Sequence, residues 1–152
     1  MPEPFTMIAL LATFGAYLGA LIFPAAVVAP LAVKVLTPDL TAAFLRPFWL
    51  SYHKFGALGA LTLTAVSTLT AVFSALPSIY GVLLFSLGSL MTLCFFVGIN
   101  LIPKINRAAD MQHEALFNSL HRADMALVAT ALLTGVALIF ILGYALAEHP
   151  TF

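Results

Sequence analysis

Four apolar runs, each long enough to cross a bilayer as a helix, decide what this chain can become. They cover roughly residues 6–33, 48–75, 78–102 and 123–147 of 152. About 20 consecutive apolar residues span a hydrocarbon core. In lipid every backbone polar group must be satisfied inside its own segment, so runs of this length form helices. Charged residues make up 8% of the chain, against about 25% in a soluble domain, too few to coat a surface in water. The expected architecture is an all-α integral membrane four-helix bundle, one domain over residues 1–152. Pro4 suits a first helical turn. The tail before it is acidic rather than basic, so the first run reads as a retained span and not as a signal peptide.

Prolines shape the connections. Pro24 and Pro30 lie in the second half of the first run, where each removes an amide donor and crowds the preceding turn. A kink near Pro24 and a break near Pro30 are expected. Thr37-Pro38-Asp39 resembles a helix start. Leu40, Phe44 and Leu45 then share a face, which predicts a short interfacial helix that Pro47 ends. Trp49 and Tyr52 follow at headgroup level. Leu76-Pro77-Ser78 is so short a link that the second and third runs form an antiparallel hairpin. Pro103 is expected to end the third run. Beyond it, no Gly or Pro interrupts residues 104–134, which predicts a cytoplasmic helical extension running into the fourth span as one rod.

All six basic residues fall in two places: Lys34, Arg46 and Lys54 between the first two spans, and Lys104, Arg107 and Arg122 between the last two. The positive-inside rule then puts loops 34–54 and 103–124 in the cytoplasm and both termini outside. Net charge is zero, which gives no case for nucleic acid. Cys94 is alone, so no intrachain disulfide or cysteine-cluster metal site can form. Gly15 and Gly19 make a GxxxG pair. Its ordinary use is packing within the chain, with a homo-oligomer face as the alternative.

Half the charged side chains and two of the four histidines sit in residues 100–124. On a helix, Asp110, His113 and Glu114 would share one face, a spacing from which carboxylates and imidazole can hold a divalent metal. The ordinary reading is a solvated amphipathic segment, with Arg107 and Asp110 as a helical pair. His53 and His121 both lie just inside the cytoplasmic boundary and could face each other across a bundle as haem ligands. A structural pairing is the plainer reading: Arg122 with Asp124 of a partner helix, or His121 with a backbone carbonyl. Thr64, Ser67 and Thr68 on the second span usually bond their own helix backbone or a neighbour. No Asp, Glu, Lys or Arg occupies the central part of any span, which argues against a proton- or ion-coupled transporter.

The first span ends Gly19-Ala-Leu-Ile-Phe-Pro-Ala-Ala-Val-Val-Ala-Pro30-Leu. The third leaves as Asn100-Leu-Ile-Pro103-Lys-Ile-Asn106, followed by Phe117-Asn-Ser-Leu-His121. These segments resemble the small membrane proteins grouped as domain of unknown function 4149, related to transmembrane protein 205. Val33 and Lys34 stand where that family typically carries an aromatic. The anthrone-oxygenase-like four-helix proteins share the size and the first-helix proline and fit the Leu-His segment less well. The resemblance implies a four-helix membrane protein and supplies no activity.

No complete catalytic motif appears. The reading is a non-enzymatic membrane protein acting as an accessory or interaction subunit. Its partners would be the lipid bilayer and, through Gly15/Gly19 or residues 104–124, another protein or a second copy. Two alternatives stand beside it. One is a haem- or metal-binding protein or oxidoreductase using the cytoplasmic-side histidines. The other is a carrier of small lipophilic molecules gated at Pro24–Pro30.

Overall fold

The computed structural model describes residues 4–73 and 77–148. Leu76 of the short link, and His149 and Pro150 of the tail, lie outside the described residues. The chain forms α1 (Pro4–Phe23), a π-helical turn (Pro24–Val28), α2 (Ala29–Val35), α3 (Pro38–Phe73), α4 (Ser78–Asp110) and α5 (Glu114–Glu148). Four helical stretches, Ile8–Val35, Pro38–Phe73, Ser78–Asp110 and Glu114–Glu148, are long and apolar enough to cross a membrane. At 1.5 Å per residue a helix of α3's length measures about 54 Å, well beyond the roughly 30 Å hydrocarbon core.

The outer surface fits a lipid solvent. Phe73 is 78% exposed, Phe140 73% and Leu133 71%, while Phe95, Leu21, Leu84 and Met91 fill the interior. Between helices in lipid there is little hydrophobic drive, so close packing and interhelical polar contacts hold the bundle. Residues 53, 56, 64 and 71 of α3 meet residues 98, 95, 88 and 81 of α4 in turn. Rising numbers against falling ones make the pair antiparallel, as the short link requires. Gly88 seats the Thr64 side chain, and Gly59 seats the Tyr17 ring. The Tyr17 hydroxyl donates to the Gly56 carbonyl and ties α1 to α3. Gly135 of α5 faces Leu18 and Met91.

Several expectations about helix ends are corrected. The chain does not break at Pro30. The Ala29 N–H donates to the Pro24 carbonyl, five residues back, and this wider turn just ahead of Pro30 accommodates its ring without ending the helix. The helix expected after Thr37 does start at Pro38, but Pro47 does not end it; α3 continues to Phe73. Phe44, Phe48 and Tyr52 form a stacked ladder past the proline, with ring centroids 5.4 and 6.5 Å apart. Trp49 meets Phe48 edge-on at 5.1 Å. Pro103 likewise lies inside α4, which buries Ile102, Ile105 and Ala108 on either side of it.

The single rod expected from residue 104 onward is instead interrupted between Asp110 and Glu114. The His113 N–H donates to the Ala108 carbonyl and the Gln112 N–H to the Ala109 carbonyl, both at 3.0 Å. Gln112 sits at φ 53°. This is the Schellman closure, built with glutamine where glycine is usual. The helical extension before the fourth span therefore exists as two overhangs, the end of α4 and the start of α5.

The Gly15/Gly19 pair is also corrected. Among the described residues nothing approaches within 4 Å of where either would carry a Cβ, so the pair does not pack against them.

Candidate functional site: a buried histidine–aspartate pair beside an interhelical cavity

Most polar side chains in the spans are satisfied locally. Thr64 donates to the Ala60 carbonyl at 2.6 Å, Thr92 to Gly88 at 2.9 Å and Thr134 to Thr130 at 2.8 Å. Ser67 donates to the Thr64 carbonyl at 3.2 Å. Thr64 and Ser67 of the α3 hydroxyl stripe thus turn to their own backbone, as expected for such residues, while the buried Thr68 hydroxyl has no partner among the described residues.

His53 and Asp124 are different. His53 is fully buried and Asp124 is 4% exposed. The His53 Nδ1 lies 2.8 Å from the Trp49 carbonyl, one turn back on α3. A carbonyl only accepts, so Nδ1 carries the hydrogen and donates. Nε2 then points at Asp124 Oδ1 of α5, 3.1 Å away. That separation suits an ion pair, but the two atoms are not aligned as a hydrogen bond, and among the described residues neither has another partner.

The imidazole fits because of Gly98. A Cβ there would overlap the ring at Cδ2 and Nε2. Tyr52 and Phe95 close the ring edge-on at 5.5 and 6.0 Å.

The geometry has a chemical consequence. An ionised carboxylate and a neutral imidazole with Nδ1–H would bring two bare lone pairs to 3.1 Å in a site without water-facing surface. A proton on either atom removes that repulsion, giving imidazolium with carboxylate or imidazole with carboxylic acid. With one proton shared between them the pair would be neutral overall.

Asp124 also lines a cavity of about 300 Å³. Its walls are Ala25, Ala29, Pro30 and Val33 from the first helix, Leu45 and Trp49 from α3, Ile102, Ile105 and Asn106 from α4, and His121, Met125 and Val128 from α5. The π turn and Pro30 thus form one side of it. The walls are mostly apolar, with Asp124, Asn106 and His121 as the polar contributions. A more open groove between α3 and α4, lined by Thr68, Phe85 and Phe96 among others, faces outward and contains no ionisable group.

The other expected site residues fall elsewhere. His121 is exposed at the cavity and stacks on Phe117, ring centroids 5.6 Å apart. His53 instead directs its nitrogens at the Trp49 carbonyl and at Asp124. Asp110 pairs with Arg46 at 2.5 Å across α4 and α3. His113 caps α5, its Nδ1 accepting the Leu116 N–H at 3.3 Å, while Glu114 opens that helix. Asp110, His113 and Glu114 therefore do not share one helix face. Among the described residues no three His, Cys, Asp or Glu side chains gather closely enough to hold a metal ion.

The pairings expected around residue 122 also change. Arg122 donates to the Asn118 carbonyl at 3.2 Å, and Asp124 takes His53. It is His53, not His121, that bonds a backbone carbonyl. The pairing of Asp124 with His53, and the role of Gly98 beneath the ring, are what sequence reasoning missed. Part of the signal was available in the hairpin: folding the second and third runs about the 74–77 link sets His53 opposite Gly98.

No protein-family model matches the chain, and no match was found among curated proteins or solved structures.

Proposed function

We propose that this integral membrane protein binds a small lipophilic molecule with one polar group, in the cavity between the π turn, Trp49 and Asp124. The carrying observation is a cavity of about 300 Å³ with mostly apolar walls, in which the buried Asp124 is the one acidic residue. Ligand sites have this character: mostly apolar walls with a few fixed polar groups. The segments that carry the resemblance to the small four-helix membrane proteins, residues 19–31, 100–106 and 117–121, also supply much of the cavity wall. That coincidence supports reading the likeness as one of cavity construction. The end bearing all six basic residues faces the cytoplasm in this reading.

Trp49, the only tryptophan, provides the test. In detergent-purified protein, 4-bromobenzyl alcohol should quench its fluorescence saturably. Ala25→Phe, which fills the cavity, should abolish the saturable part while the protein still elutes as a folded particle. Quenching that rises linearly in both proteins would overturn the proposal. Orientation is tested separately with Lys104→Cys in a Cys94→Ala background: a membrane-impermeant maleimide should label it only after cell lysis.

One observation favours a second reading, a homo-oligomer or interaction subunit. Gly15 and Gly19 face outward on α1 with nothing against them. Gly19→Leu should then lower the oligomeric mass in detergent, and an unchanged mass would remove this reading.

A further inference from the structure

The chemistry of the cavity wall narrows the ligand class. Resting on the proposed binding of a lipophilic molecule there, we infer that the cavity takes a small lipophilic cation, an organic ammonium, and that the cation enters in exchange for the proton held by the His53–Asp124 pair.

Three observations converge on this. The first is the carboxylate. Asp124 is buried and is the one acidic residue that lines the cavity. The second is the aromatic wall. Trp49 lines the same cavity, and an indole face attracts an organic cation more than any other side-chain ring does. The third is the pair of contacts at His53: Nδ1 bonds the Trp49 carbonyl and Nε2 approaches Asp124 Oδ1 at 3.1 Å, from which a proton shared by the pair follows.

With the cavity empty of cation, that proton keeps the pair neutral. When an ammonium group reaches Asp124, the carboxylate gains its counter-charge from the ligand. The pair's proton is then surplus, because retaining it would leave a net positive charge in a buried site. The carboxylate turns from Nε2 to the ligand, so the two lone pairs no longer face each other; the proton leaves to solvent, and His53 becomes neutral with its Nδ1–H still on the Trp49 carbonyl. One positive charge enters and one departs. No covalent bond to carbon changes.

The groups facing the pair are consistent with this exchange. From α3 there is the Tyr52 phenol, whose ring meets His53 edge-on. From α5 there is His121, which lines the cavity with Asp124. From α4, Asn106, Ile102 and Ile105 line the cavity and carry no charge. From the first helix the wall is Ala25, Ala29, Pro30 and Val33, also uncharged. No Lys or Arg lines the cavity to compete with a ligand cation. Acidification weakens binding by mass action on the exchanged proton.

The experiment compares 4-bromobenzyltrimethylammonium with its neutral carbon isostere, 1-bromo-4-neopentylbenzene, by Trp49 quenching at pH 7 in the wild-type protein. Calorimetry of the cation in phosphate and in Tris counts protons released. The expected result is at least tenfold tighter binding of the cation and about one proton released per cation bound. Asp124→Asn should lose the cation preference and keep saturable quenching by the isostere. Saturable binding of the isostere with an equal or weaker cation would overturn the exchange and leave the cavity reading intact. Cation binding without proton release would also overturn the exchange. Binding of neither probe would overturn both. The affinity ratio and proton count are wild-type measurements, so they decide the matter even if Asp124→Asn does not fold.

Discussion

Gly98→Ala is the sharpest test of the packing around the buried pair. Its added Cβ would fall well inside the 3.4 Å at which ordinary van der Waals contact begins, against His53 Cδ2 and Nε2. The imidazole has little room to yield. It is fully buried, fixed by the Trp49 carbonyl at 2.8 Å and walled by Tyr52 and Phe95. Either α3 and α4 separate, an overpacking cost of about 1–3 kcal/mol, or the ring leaves and strands Asp124 in the interior, a loss of about 3–5 kcal/mol. The expected destabilisation is therefore about 2–4 kcal/mol. Gly15→Ala is the matched control, because a Cβ there meets nothing within 4 Å. Unfolding in a mixed detergent–SDS titration, followed by Trp49 fluorescence, measures both. The double variant Gly98→Ala/His53→Ala should cost less than the sum of the two single changes, since the clash disappears with the ring. Equal stability of Gly98→Ala and Gly15→Ala, within about 0.5 kcal/mol, would refute the argument.

Three further outcomes are expected from local geometry. Gln112 occupies a left-handed conformation at φ 53° that costs a non-glycine residue roughly 1–2 kcal/mol; Gln112→Gly should stabilise the protein by up to about 1 kcal/mol in the same titration. Arg46 and Asp110 are 42% and 56% exposed, so Arg46→Ala should change stability by less than about 1 kcal/mol, and less again in high salt. Cys94 is 5% exposed, so a water-soluble maleimide should fail to label it in folded protein and label it fully once SDS has unfolded the bundle.

The large features were legible because each rests on a run of residues. Four apolar runs give four spans, the short link sets an antiparallel hairpin, and six clustered basic residues mark one end. The prolines misled because their local cost, about 3 kcal/mol in a helix interior, is opposed by contacts that no local pattern displays. The Phe44–Phe48–Tyr52 ladder carries α3 through Pro47. Burial of Ile102, Ile105 and Ala108 carries α4 through Pro103. The break at residues 111–113 was hidden for the opposite reason: the turn uses glutamine, whose left-handed backbone leaves no glycine signal. His53 and Asp124 lie 71 positions apart on helices that do not follow one another directly. Only a three-dimensional register brings them together, and Gly98 was the visible half of that register.

The pair also bears on why this end of the bundle is built as it is. A buried ion pair seldom stabilises a fold more than well-packed apolar residues of the same volume, because the Coulomb gain only offsets desolvation. Here the geometry is less favourable still, since Nε2 and Oδ1 are close without being aligned. Stability alone therefore does not account for His53 and Asp124. The cavity does. A π turn beside Pro30 widens the first helix where it borders the space, and such turns occur often at functional sites. Trp49 contributes its carbonyl to His53 and also lines the cavity, so anything entering the cavity lies against the residue that orients the imidazole. Under the proposed binding, a ligand reaching Asp124 would act on the shared proton, the ring and the π-turn wall together. That coupling is what an aligned, fully satisfied pair would lack.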